Sequence, residues 1–374
     1  MKRRHFLTLV PGLLAAADEA PSRAPLFDGR SLAGWTIEQG PESSYYVDAE
    51  GALAGSPTAE FPAWLRSAKQ YENFDLQFEY FLKGWMDGGV YFSAPEHGPR
   101  SHCGFKVSLF HQQDTDMRIN SPGAIFPLVA PRLVNVKNKG EWNTMRIRLD
   151  WPRLEVWSNG EQTHSVDVES HPELRRKLRA GYIGFDTLSY PMRFRNIGLR
   201  ELPAKTRWEP LFTGAADLDK WTVTESVERS PARFVPYGRV LHGDGLGNLT
   251  TKAKYRDFAL QLYIRGSRHH NGGILFRSQG GRDRYEIQLH DVEEAHYPTG
   301  SLYFHARARY PRITAEEWFL YQMWVKDRSV VIRINGDTVL EYDKLEQLDA
   351  GTIELQAHQV GRWIEYKDIL IRPL

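Results

Sequence analysis

The chain has 374 residues, 41% of them hydrophobic and 12% aromatic, with 31 Gly and 21 Pro; it is longer than most single domains and has the composition of a turn-rich globular protein. Lys and Arg number 48 against 47 Asp and Glu, and the basic residues are scattered, which excludes nucleic acid as the main partner. One cysteine, Cys103, excludes an internal disulfide and a cysteine-based metal site.

At the N-terminus a basic start (Lys2, Arg3, Arg4), an apolar run from Phe6 to Leu14 and small residues at Ala15 to Ala17 predict an export signal over 1–17. Arg3-Arg4-His5-Phe6-Leu7 resembles a twin-arginine signal, which carries folded proteins, so the expected location is periplasmic or extracellular. The apolar run falls short of the roughly 20 residues a membrane span needs, and no other segment approaches that length.

From residue 26 onward the chain repeats itself. "LFDGRSLAGWTI" (26–37) returns as "LFTGAADLDKWTV" (211–223), "FDLQFEY" (74–80) as "FALQLYI" (258–264), and "DGGVYF" (87–92) as "NGGILF" (271–276). "EWNTMRIRLDWPRLEVWSNG" (141–160) matches "EWFLYQMWVKDRSVVIRING" (317–336), and "FRNIGLREL" matches the closing "YKDILIRPL". Two copies of one domain are therefore expected, over 25–203 and 207–374. Each reads as short runs rich in Val, Ile, Tyr and Phe, punctuated by Gly, Asn and Asp. Asn159-Gly160 and Asn335-Gly336 mark hairpins, because both turn positions need φ > 0. About a dozen strands in roughly 175 residues predict an all-β fold of two tandem jelly-roll sandwiches, each with one sheet free to carry a site.

The segment "YEIQLHD" (285–291) points to that site. Alternation sends Tyr285, Ile287 and Leu289 to one face and Glu286, Gln288 and His290 to the other, roughly 7 Å between successive members. The first copy carries "FKVSLFH" here: Phe105, Val107 and Leu109 preserve the apolar face, while Lys106, Ser108 and Phe110 replace the polar one. Ser93 likewise stands where the second copy has Arg277. A face that keeps its apolar residues packs a core, whereas one that changes answers to solvent or to a ligand. Gly272-Gly273 on the neighbouring run lets a ligand approach the backbone. His290, Asp291, Glu293, Glu294, His296 and His305 are ligand types for a divalent metal, but their spacing matches no strong signature and reads as a solvated loop, so a metal is not favoured. Trp64, Trp85 and Trp142 are either sugar-stacking platforms or core residues.

"LF(D/T)G…W", "NGGILFR", "YEIQLHD", "PTGSLY", "EWN" followed by "NG", and "FRNI", each matched in the same order by a counterpart in the other copy, resemble the 3-keto-disaccharide hydrolase domain family. The resemblance implies a concanavalin-like jelly roll, bacterial export, and action on an oxidised saccharide whose C3 hydroxyl has become a ketone. It carries over best to Asn271, Gly272, Gly273, Arg277, Glu286, Gln288, Asp291 and the Pro298-Thr299-Gly300 turn before Tyr303. A C3 ketone acidifies the C2 hydrogen, so the chemistry expected is proton removal, β-elimination of the C1 group and hydration. Glu286 or His290 is the expected base or acid and Arg277 the oxyanion partner, with Asn271, Gln288, Asp291, Thr299 and Tyr303 binding substrate. A paired-carboxylate glycosidase built on Glu286 and Asp291 is disfavoured because alternation separates them. The other reading is a non-catalytic pair of carbohydrate-binding modules. On the residues alone the first copy is expected to be inert and to dock so as to close or extend the second copy's groove.

Overall fold

Runs of alternating residues can bury their apolar face only by stacking one sheet on another, and the chain does this twice. The computed structural model describes residues 22–57, 63–111, 116–281 and 283–374, so the export signal expected over 1–17 lies outside the described residues. All named strand pairs are antiparallel. In the N-terminal copy an eight-stranded sheet, with Asn73–Phe81 between Trp142–Asp150 and Arg193–Leu202, faces a six-stranded one. The latter runs Trp35–Glu38, Trp64–Tyr71, Gly181–Asp186, Asp87–Ala94, Phe105–Phe110, Ile125–Phe126. The C-terminal copy repeats the plan, its smaller sheet running Trp221–Thr224, Gly247–Thr251, Thr352–Ala357, Asn271–Ser278, Tyr285–His290. The fold is all-β, as two tandem jelly-roll sandwiches. Asn159 and Gly160 (φ 48° and 86°) and Asn335 and Gly336 (φ 52° and 84°) turn the predicted hairpins.

Each copy has its own core. Phe105, Val107 and Leu109 pack with Phe74, Leu76 and Phe78 from the opposing sheet; Tyr285, Ile287 and Leu289 pack with Phe258, Leu260 and Leu262. Burying one such side chain contributes about 1.5–3 kcal/mol, which explains why both copies conserve this face of the strand. Among the described residues no helix is long and apolar enough to cross a membrane.

The copies meet away from the C-terminal groove. The 95–103 segment of the first copy lies against the larger, outer sheet of the second. There the Glu96 carboxylate accepts from Lys367 Nζ (2.7 Å) and from Arg239 (3.1 Å), and the Glu96 amide donates to Tyr263 Oη (2.9 Å). His97 stacks on Trp318 at 5.8 Å, and Cys103 packs with Leu178, Tyr263 and Leu320. These contacts fall on or beside strands Phe258–Gly266, Phe319–Lys326 and Ile364–Pro373 and the turn at Arg239, all in the sheet opposite the one carrying Glu286. The first copy therefore does not close the second copy's groove in the way expected from the sequence.

Candidate functional site

The row read from the sequence exists on the exposed face of the C-terminal smaller sheet. Register pairs Leu275 with Glu286, Gly273 with Gln288 and Asn271 with His290, so these six residues share one face while Ile274, Ile287 and Leu289 lie in the core. Glu286 does not stand straight up. It leans diagonally over Gly273, where an added Cβ would overlap its carboxylate. Burial pushes the Glu286 carboxyl up to about 7; the nearby Arg284 opposes the shift and Glu354 adds to it. Arg284 donates to Glu225 at 2.8 Å and approaches Glu354 at 3.4 Å, and Asn248 Nδ2 donates to Glu354 at 2.7 Å. A groove lined by Glu286, Arg284, Tyr303, Phe304 and His305 opens above this network. His305 Nδ1 donates to the Tyr303 carbonyl at 2.8 Å, which leaves Nε2 to exchange a proton, and Phe304 is 76% exposed beside it.

Other expected site residues fall elsewhere. Gln288 is buried and donates to Asn271 Oδ1 at 2.7 Å, so the two amides form one unit on the groove face. His290 sits at the far end of the row, roughly 13 Å along the strand from Glu286, too far for both to act on adjacent atoms of one sugar. Burial lowers its imidazole below the ordinary value. Asp291 follows the strand and lies near His270 and His290, its Oδ1 buried without a hydrogen-bond partner among the described residues. Thr299 is fully buried: its Oγ1 accepts from the His290 amide (2.9 Å) and its own amide donates to the His290 carbonyl (3.0 Å), a structural clamp rather than a substrate ligand.

Arg277 corrects the sequence reading most. A bulge between Leu275 and Ser278 breaks the alternation, and Arg277 adopts φ 48°. Its side chain is 0% exposed and donates to the Arg256 carbonyl (2.9 Å), the Gln347 carbonyl (3.2 Å) and Asp257 (3.0 Å). It ties loops together and has no place at a substrate oxyanion. Arg284 holds the cationic position instead. Its signal was present in the sequence, since even-numbered residues of 284–290 share a face and its counterpart in the first copy is Gly104. Among the described residues no three His, Cys, Asp or Glu side chains converge to hold a metal; Glu293, Glu294 and His296 lie exposed on their loop.

The N-terminal copy presents the same face with different chemistry. Lys106 pairs with Tyr91 and leans over Gly89 as Glu286 leans over Gly273. Asp186 occupies the position of Gln356, Asp87 that of Asn271, and Tyr91 that of Leu275. Of the three tryptophans read as platforms or core, Trp64 is buried and Trp142 half-buried, while Trp85 is 70% exposed.

The sequence profile of the 3-keto-alpha-glucoside-1,2-lyase-like domain matches residues 23–200 and again 207–372. No curated protein matches the chain. Among solved structures the chain is similar to a candidate glycosyl hydrolase from Parabacteroides distasonis ATCC 8503, at 18% identity and TM-score 0.42, over 49% of this chain and 94% of that one. It is also similar to the carbohydrate-binding module CBM66 from Bacillus subtilis (14%, TM-score 0.32, 41% and 94% covered) and to a Bacillus licheniformis β-glucanase (9%, TM-score 0.34, 46% and 100% covered).

Proposed function

Because the chain belongs to the 3-keto-alpha-glucoside-1,2-lyase-like domain family, in two tandem copies, we propose that it cleaves 3-keto glycosides and that the C-terminal groove is its active site. The C3 ketone makes the C2 hydrogen acidic. Glu286 takes that proton, and the Arg284 guanidinium meets the charge that develops on the enolate oxygen. As the C1–O bond breaks, the C1=C2 double bond forms and the ketone returns, while His305 gives a proton to the departing oxygen. Addition of water across the double bond completes a net hydrolysis. The order of basic, apolar and small residues in 1–17 supports a site of action outside the cytoplasm.

One observation carries the reading: a single carboxyl, pushed up to about 7 by burial, shares a groove with a guanidinium and an imidazole. A base poised near neutrality suits abstraction of a carbon-bound proton, whereas a fully solvated carboxylate is too weak. The test is incubation of the full chain with a 3-keto disaccharide and with its unoxidised counterpart, followed by mass spectrometry. The oxidised substrate is expected to yield 3-keto sugar and the unoxidised one nothing; cleavage of both at similar rates would instead indicate an ordinary glycosidase.

A further inference from the structure

The groove of the N-terminal copy is not a blank version of the other. Its floor gathers Asp87, Lys106 and Asp186 from three adjacent strands, with Tyr91 and Arg100 beside them. Tyr91 Oη donates to Asp186 Oδ2 at 2.5 Å, and Arg100 Nη2 lies 3.8 Å from the same oxygen. Asp186 is 1% exposed, yet its Oδ1 has no hydrogen-bond partner among the described residues. Leaving a buried carboxylate oxygen unmatched is costly, so its place in a groove floor points to a donor supplied from outside. At the rim, Trp85 holds a large apolar ring in water.

From this arrangement we infer that the N-terminal groove is a second, independent site, for an intact neutral saccharide. The two carboxylates and two cations that line it cancel, which disfavours an ionised sugar. Acceptors and donors placed side by side suit adjacent hydroxyls, because each hydroxyl both donates and accepts. A ring hydroxyl donates to Asp186 Oδ1, a neighbouring one accepts from Lys106 Nζ, and the apolar face of the ring stacks on Trp85. A ketone accepts only, so replacing a hydroxyl by a ketone loses the donor that Asp186 requires. This groove therefore prefers the unoxidised sugar, and its chemistry is distinct from that of the C-terminal one. The cleft between the copies adjoins it, since Arg100 lines both.

The experiment is calorimetric titration of full-length Glu286→Gln protein against a panel of neutral mono- and disaccharides, with glucuronate as the charged control. At least one neutral sugar is expected to bind as tightly as to the unsubstituted protein, with glucuronate weaker. Trp85→Ala, at an exposed position where the fold is not at stake, is expected to weaken that binding about tenfold, and Asp186→Asn to weaken it further. Binding is read without turnover, so the result does not depend on the reaction assigned to the other copy. Absence of binding by every neutral sugar, preference for glucuronate, or binding that survives Trp85→Ala and Asp186→Asn would overturn the inference.

Discussion

Two residues at the same place in the two copies carry opposite charge: Lys106 lies over Gly89, and Glu286 lies over Gly273. Around Lys106 stand Asp87, Asp186 and Tyr91; around Glu286 stand Asn271, Gln356 and Leu275. The core face beneath is apolar in both. Packing holds that face because each buried side chain contributes to the stability of its own sandwich, whereas the groove face can reverse its sign without cost to the core. Duplication thus supplies one scaffold and two chemistries: a lone high-pKa carboxyl in one groove, and a balanced set of charges in the other.

The largest effect expected is on turnover. Removing the base by Glu286→Gln should lower kcat/KM for a 3-keto disaccharide by about a hundredfold or more, and Arg284→Ala by a similar factor. Arg277→Ala, by contrast, should act on stability: it leaves two carbonyls and Asp257 short of a donor, a loss of roughly 3 kcal/mol in the unfolding of the C-terminal sandwich, measured by denaturant titration. Turnover per folded molecule should stay unchanged, which would separate the buried arginine from the groove arginine.

A smaller effect is expected from Gly273→Ala. The added methyl meets the movable end of Glu286 rather than backbone, so it should displace the carboxylate and lower the rate about tenfold with little loss of stability. Gly89→Ala, which displaces Lys106 in the same way, should leave the rate alone. Steady-state kinetics on the two alanine variants sharpens the comparison at a single position.

The pH dependence carries a definite sign. As a base, Glu286 works ionised, so the rising limb of the kcat/KM profile should climb as pH rises to about 7. Stability runs the other way. Folding raises this carboxyl from its ordinary 4.5 to about 7, so the native state holds the proton more tightly and the protein loses stability as pH climbs between those values. Glu286→Gln removes that slope and should be more stable than the unsubstituted protein at pH 8, by up to roughly 3 kcal/mol, and equal to it at pH 4. Chemical denaturation at the two values measures the difference.

Much of this was legible in the residues. The repeat, the hairpins at Asn159-Gly160 and Asn335-Gly336, and the split of 285–290 into core and groove faces all follow from periods and turn chemistry that act locally. Arg277 was misplaced because a bulge shifts the register by one, and a bulge depends on how two strands meet rather than on either strand alone. Thr299 was misplaced for a related reason: whether a polar side chain faces a ligand or clamps its own loop depends on long-range packing. The charges of the N-terminal groove were missed because Asp87, Lys106 and Asp186 lie far apart in the chain; comparing only Ser93, Lys106, Ser108 and Phe110 with their counterparts made that copy look depleted rather than different.

The central claim is that the proton at C2 is moved by Glu286 in the C-terminal groove and not by Lys106 in the other. The most direct measurement is turnover of a 3-keto disaccharide in D₂O by the full chain and by its Glu286→Gln and Lys106→Ala variants, with deuterium at C2 read by mass spectrometry. Unsubstituted and Lys106→Ala protein should release product labelled at C2 at similar rates, and Glu286→Gln should release almost none. Labelled product from Glu286→Gln together with none from Lys106→Ala would contradict the account and move the reaction to the N-terminal copy.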